Sequence, residues 1–167
     1  MSSVSIASID ELTSLLELML GTDVSAKAVE SPMEADSSKV VGVYASDDGT
    51  VVSAYAVDLT LANYIGAAFS MIPPGAAQDN ASVGTLPDNA FDNLGEILNV
   101  SVNLTKVSDS GHVSFRNAIH PEDEIPDDVA AILSSEANRL DVKIEIQRYG
   151  AGLMTLCALS ESAVPAA

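Results

Sequence analysis

Apolar residues recur at helical spacing through Leu12, Leu15, Leu16, Leu18 and Met19, behind Ser8 and Glu11. Ser and Glu three apart form a capping box, each side chain satisfying a backbone N–H, so a first helix is predicted here, ending at Gly21. A strand is expected over 24–29. The polar stretch 30–38, with Pro32 and no periodicity, reads as a loop. Valine-rich runs over 40–45 and 51–57 flank Asp47-Asp48-Gly49, the clearest hairpin signal in the chain. Asp58 or Thr60 can cap a second, apolar helix reaching about Phe69, which Pro73 and Pro74 stop. The small residues of 75–84 read as a loop joining two halves. Thr85, Pro87 and Asp88 then open another helix, running to about Leu104. A strand over 112–119, an acidic turn, a short helix over 127–138 and a closing hairpin of 140–148 with 152–159 follow. Residues 160–167 are expected to fray.

Strands joined by tight turns pair antiparallel, and each helix has one apolar face. The predicted class is therefore α+β, an antiparallel sheet with amphipathic helices packed on it, in one domain spanning 1–167. Each half holds an amphipathic helix followed by strands with a hairpin, an order that hints at a pseudo-twofold arrangement.

Composition sharpens this picture. The 167 residues and 17.2 kDa suit a single core, and 47% hydrophobic content supplies its material. Asp and Glu number 24 against 7 Lys and Arg, a net charge of −17. That balance repels nucleic-acid phosphates and anionic lipid headgroups, so neither nucleic acid nor membrane is expected as a partner, and a basic protein surface is left open as one. The longest apolar stretch, 59–72, is too short to span a bilayer, and the N-terminal segment has no secretory pattern, so a cytoplasmic location is expected. Cys157, the single cysteine, lies in an apolar run and reads as a buried, inert thiol.

The helix after Pro87 carries the most informative pattern. At 3.6 residues per turn, Asp88, Asp92, Glu96, Asn99 and Asn103 fall within an arc of roughly 100°. Phe91, Leu94, Leu98 and Val102 lie opposite, with Ile97 beside them, so the polar stripe should face outward. A polar helical face is usually only a solvated surface. Amides are poor residues within a helix, however, and the stripe is not the Glu/Lys mixture of a merely soluble one. Gly95, at the edge between the faces, permits close approach of another backbone.

The segment Asp92-Asn93-Leu94-Gly95-Glu96-Ile97-Leu98-Asn99-Val100-Ser101-Val102-Asn103 resembles the Glu-x-x-Asn helix of the CheC/CheX-type chemotaxis phosphatases, which hydrolyse the aspartyl phosphate of CheY-type receiver domains. The surroundings agree in order over about 9–119: a helix ending Met19-Leu20-Gly21, a strand pair around Asp48-Gly49, an Ala-rich helix containing Ala62 and Ala67, then the motif helix. The resemblance implies Glu96 and Asn99 as the catalytic pair, Asp88, Asp92 and Asn103 as partner-binding positions around it, and a phosphorylated receiver as partner. It implies no metal or cofactor on this chain, the magnesium ion belonging to the receiver. Two-motif members repeat Glu-x-x-Asn on the first helix, where this chain has Glu11-Leu12-Thr13-Ser14, so one site per chain is implied, as in the CheX-like branch, whose members form homodimers. That branch follows its motif with Gly-Asn; here Val102-Asn103 stands. A non-catalytic interaction module of the same fold, like the related flagellar-switch proteins, is the alternative, and an acidic scaffold with a fortuitous motif a third.

Other constellations are weaker. His112 and His120 lie eight apart without cysteines or spaced carboxylates, and Glu122, Asp123, Glu124, Asp127 and Asp128 lack the alternating oxygens and central Gly of a calcium loop. The acidic segment 121–128 and its helix have no counterpart in the resemblance. Gly150-Ala151-Gly152 reads as a hairpin turn, since no helix follows it.

Overall fold

The computed structural model describes residues 4–108 and 111–159. In chain order these form β1 (Val4–Ile6), α1 (Ile9–Leu20), β2 (Val24–Ala28), β3 (Lys39–Ser46), β4 (Val51–Asp58), α2 (Leu59–Phe69), α3 (Pro74–Val83), α4 (Asp88–Val100), a 3-10 turn (Ser101–Leu104), β5 (Thr105–Val107), β6 (Val113–Ile119), α5 (Asp127–Ser134), β7 (Arg139–Ile146) and β8 (Gly150–Ala158). Among the described residues the sheet has six strands in the order β2-β7-β8-β4-β3-β6, antiparallel throughout, and β1 pairs with β5 in a separate ribbon. The expected α+β class is the one the chain adopts. Among these residues no helix is long and apolar enough to cross a membrane.

The order of strands contains the pseudo-twofold. In the first half α1 precedes β2 and the hairpin β3–β4; in the second α4 precedes β6 and the hairpin β7–β8, with α5 inserted. The hairpins meet at the centre through β4 and β8, and the leading strand of each half crosses over to flank the other half's hairpin, β2 beside β7 and β6 beside β3. Neither half completes the sheet alone.

Alternation along the strands divides the core. Tyr44, Tyr55, Val57, Ile144, Ile146 and Leu156 face α1, α2 and α4, which bury Leu12, Leu16, Leu61, Ile65, Leu94 and Leu98 against them. On the opposite face Val41, Val43, Ala54, Ala56 and Cys157 meet α5 through Val129 and Ile132. Because both faces are covered, β3 and β4 read as near-continuous valine and alanine runs rather than as alternating ones.

Local signals act as expected at several ends. Ser8 and Glu11 make the full capping box on α1, and Asp58 caps α2 by accepting from Leu61 N at 2.8 Å. Gly49, at φ 88°, closes the β3–β4 turn in a conformation that other residues rarely adopt. The 75–84 segment corrects the sequence reading: it is the helix α3, not a loop. Pro74 occupies its first turn, Gly84 ends it in the left-handed region at φ 75°, and alanines favour the helical state between them. Only Ala77 of α3 is buried, so no apolar stripe announced it. Two further boundaries shift. The helix expected over 127–138 ends at Ser134, where Ser135 turns extended, and the motif helix gives way to the 3-10 turn after Val100. Residues 160–167 lie outside the described residues.

Candidate functional site

Helix α4 is pinned from three directions. Its apolar side buries Ala90, Leu94, Ile97 and Leu98, with Phe91 and Val102 packed at the margin. Asn93 Nδ2 donates to Gly66 O at 2.9 Å and to Ser70 Oγ at 2.6 Å, tying α4 to α2. A Cβ on Gly66 would stand 2.5 Å from Ala90 O, so only glycine permits the two helices to cross this closely. From the sheet, the buried Tyr44 hydroxyl donates to Leu98 O at 2.6 Å, and burial pushes that phenol well above its ordinary pKa. Ser101 Oγ donates to Ile97 O at 2.6 Å, where the helix tightens into the 3-10 turn. Beneath it, Tyr55 Oη and Ser53 Oγ both meet Thr105 Oγ1, a buried hydroxyl cluster that fixes the start of β5.

The pinning leaves the opposite face bare. Asp88, Asp92, Glu96, Asn99 and Asn103 are all exposed, as the periodicity requires. Glu96 and Asn99 project from one face about one turn apart, and neither side chain has a partner among the described residues. Beside them, nothing lies within 4 Å of the position a Cβ would take on Gly95. A carboxylate and a carboxamide thus stand on a rigid rod beside open space at Gly95. The carboxylate accepts only, whereas the amide both donates and accepts.

The first helix offers no second copy of this arrangement. Glu11 is held by Ser8 N at 2.9 Å and by Lys106 Nζ at 3.2 Å, and both contacts lower its carboxyl pKa, led by the one from the Ser8 backbone. It caps a helix and pairs with Lys106.

The remaining candidates are not brought together. His112 Nδ1 lies 2.8 Å from Asp47 Oδ1 beside the β3–β4 turn, whereas His120 stacks edge-on to Phe91 with ring centroids 5.0 Å apart. Cys157 is fully buried, and burial pushes its thiol up to about 11. In the acidic segment Asp127 and Asp128 sit in the first turn of α5, where carboxylates suit the helix dipole, and among the described residues no group of three or more His, Cys, Asp or Glu is placed to hold a metal ion. Asn93, Tyr44 and Ser101 were not singled out from the sequence. An amide on the apolar margin of a helix was the one available sign, since the partners of Tyr44 and Ser101 depend on packing.

No protein-family model matches the sequence, and neither does any curated protein sequence. Solved structures do match. The FliM–SpeE complex from H. pylori aligns with 90% of this chain and 80% of that chain at 10% identity and a TM-score of 0.53. CheX from Vibrio vulnificus aligns with 89% of this chain and 91% of its own at 14% identity and a TM-score of 0.47. The CheX–CheY–BeF3–Mg+2 complex from Borrelia burgdorferi aligns over 89% and 92% at 10% identity and a TM-score of 0.42. At such identities the likeness concerns the fold alone. The chain has an α+β fold similar to that in the FliM–SpeE complex, an antiparallel sheet with helices packed on it.

Proposed function

We propose that the chain is a phosphatase for the aspartyl phosphate of a CheY-type receiver domain, working as a homodimer and presenting α4 to the receiver's active site. The observation that carries this reading is the pair Glu96 and Asn99, exposed and unengaged on a helix that Asn93, Tyr44 and Ser101 hold in place. Pre-positioning matters because hydrolysis of an acyl phosphate is mainly a problem of placing a water in line and stabilising spread negative charge. The Asn99 amide can hold that water or donate to a phosphoryl oxygen without adding charge. Glu96 would repel the phosphoryl group, so its role is to engage a lysine of the receiver and set the depth of docking. Magnesium, held by the receiver, would neutralise the phosphoryl oxygens, and no residue of this chain is needed as its ligand.

The test is the lifetime of a phosphorylated receiver from the same genome with catalytic amounts of this chain. Wild type should shorten it. Asn99→Ala should lose roughly a hundredfold of that acceleration, the usual effect of removing one transition-state donor, while still binding. Glu96→Ala should weaken binding as well. Equal turnover in wild type and Asn99→Ala would contradict the assignment.

A second reading, a non-catalytic module of the same fold, is favoured by the engagement of Glu11 in its cap and by the likeness to FliM. It predicts receiver binding with an unchanged phosphate lifetime.

A further inference from the structure

Lys39 is a half-buried cation in a chain of 24 acids, yet among the described residues no carboxylate lies within ion-pair distance of its ammonium. It borders a cleft of about 520 Å³ between α5, the 30–38 segment and the sheet. This is the side of the molecule away from α4, built by the acidic segment and helix that the phosphatase reading leaves unused.

Small residues keep the cleft open. Its floor is Ala56 and Thr155, register partners on β4 and β8 and each 3% exposed; Met33, Ile125 and Leu133 supply apolar walls. The volume falls within the range of small-molecule sites, and the mixture of apolar walls with a few polar groups is their usual composition. Two of the polar groups, the Asp127 carboxylate and Ser134, belong to α5, and the others lie on the sheet. Arg139 is neutralised by a two-pronged contact with Asp141, at 2.9 and 3.0 Å, and donates further to the carbonyls of Leu133 and Ser135. The Thr155 hydroxyl gives its hydrogen to Asp141 at 2.6 Å. Lys39 donates to the carbonyls of Glu34 at 3.3 Å and Ala35 at 2.8 Å. An ammonium has three N–H groups, so one is left over. Burial lowers the pKa of Lys39, and Asp36 opposes that from beyond ion-pair distance.

We propose that this cleft binds a small organic anion, a carboxylate carrying a short aliphatic tail, with the head group on Lys39 and the tail lying over Ala56 toward Leu133 and α5. The open cation selects the charge, and the walls select the tail. Asp127, on the α5 wall of the same cleft, disfavours a second anionic group. The site is independent of the phosphatase reading, because it shares no residue with the α4 stripe.

The test uses the full chain and sodium octanoate, followed by calorimetric titration and thermal unfolding, with 1-octanol and octylammonium as controls. Octanoate should bind one per chain and raise the unfolding temperature with concentration. Octanol and octylammonium should bind at least about tenfold more weakly, the scale of one charge-assisted hydrogen bond. Lys39→Met should weaken octanoate by a similar factor. Ala131→Trp, at an exposed position of α5 on the cleft wall, should abolish binding while leaving the fold intact. Should Lys39→Met fail to fold for want of its carbonyl contacts, Ala131→Trp alone decides. Absence of octanoate binding, octanol binding as tightly as octanoate, or wild-type affinity in Ala131→Trp would each overturn the proposal.

Discussion

The Asp141 carboxylate joins two strands, accepting from Arg139 on its own β7 and from Thr155 on β8. Burial pushes its carboxyl pKa up, but the hydrogen bonds from Arg139 and Thr155 and the guanidinium charge outweigh that and hold it below the usual range. A carboxylate depressed in the folded state contributes stability that is fully present above its unfolded pKa of about 3.9 and is lost as pH falls through the lower folded value. Asp141→Asn should therefore be less stable than wild type at neutral pH by about 1.5–3 kcal/mol, the range for hydrogen bonds to charged groups. In urea denaturation the gap should stay constant down to about pH 4 and close below it. A gap that ignores pH would show that the charge of Asp141 is not what stabilises the fold.

At the scale of elements, the crossing of α2 over α4 decides where the polar stripe points. Gly66→Ala would set its Cβ 2.5 Å from Ala90 O and 2.8 Å from Ala90 Cα, and backbone cannot yield as a side chain can. Alanine is the better helix former by about 1 kcal/mol, so an open crossing would make the substitution stabilising. A loss of about 1–3 kcal/mol in chemical denaturation, the cost of overpacking, is expected instead, and a gain would refute the close crossing. This is also where the sequence was least informative. The cap of α1, the Asp-Gly hairpin and the stripe on α4 are local patterns, and all were readable from spacing. The Gly66 contact, the Asn93 anchor and the Tyr44 hydroxyl bond join residues 23 to 54 positions apart, and no local period encodes them. α3 was lost for a different reason: a helix that buries a single alanine has no amphipathic signal, and its proline and glycine ends look like those of a loop. The crossed-over partners of β2 and β6 were equally hidden, because strand order is a matter of the whole sheet.

Among the described residues the six-stranded sheet ends at two edge strands, β2 and β6. β6 runs beside α4, so pairing there would crowd the stripe, and the expected homodimer uses a surface away from it. Light scattering after sizing should give about twice 17.2 kDa at micromolar concentration. Each copy carries −17, so association should tighten as salt screens the repulsion. Asn99→Ala should leave the mass unchanged. A monomer at every salt concentration would exclude the dimer.

The pairing of β2 with β7 has a consequence for how the chain is made. Val24 is paired with Ile146, so β2 leaves the ribosome well before β7 and stays without that neighbour until β7 has been synthesised. Contacts this distant in sequence form late and leave a strand edge exposed in the meantime. The anchors of α4 are ordered differently: Tyr44, Gly66 and Ser70 all precede the helix that they hold. During synthesis the polar stripe can be docked and oriented while the sheet beneath it is still missing its last two strands.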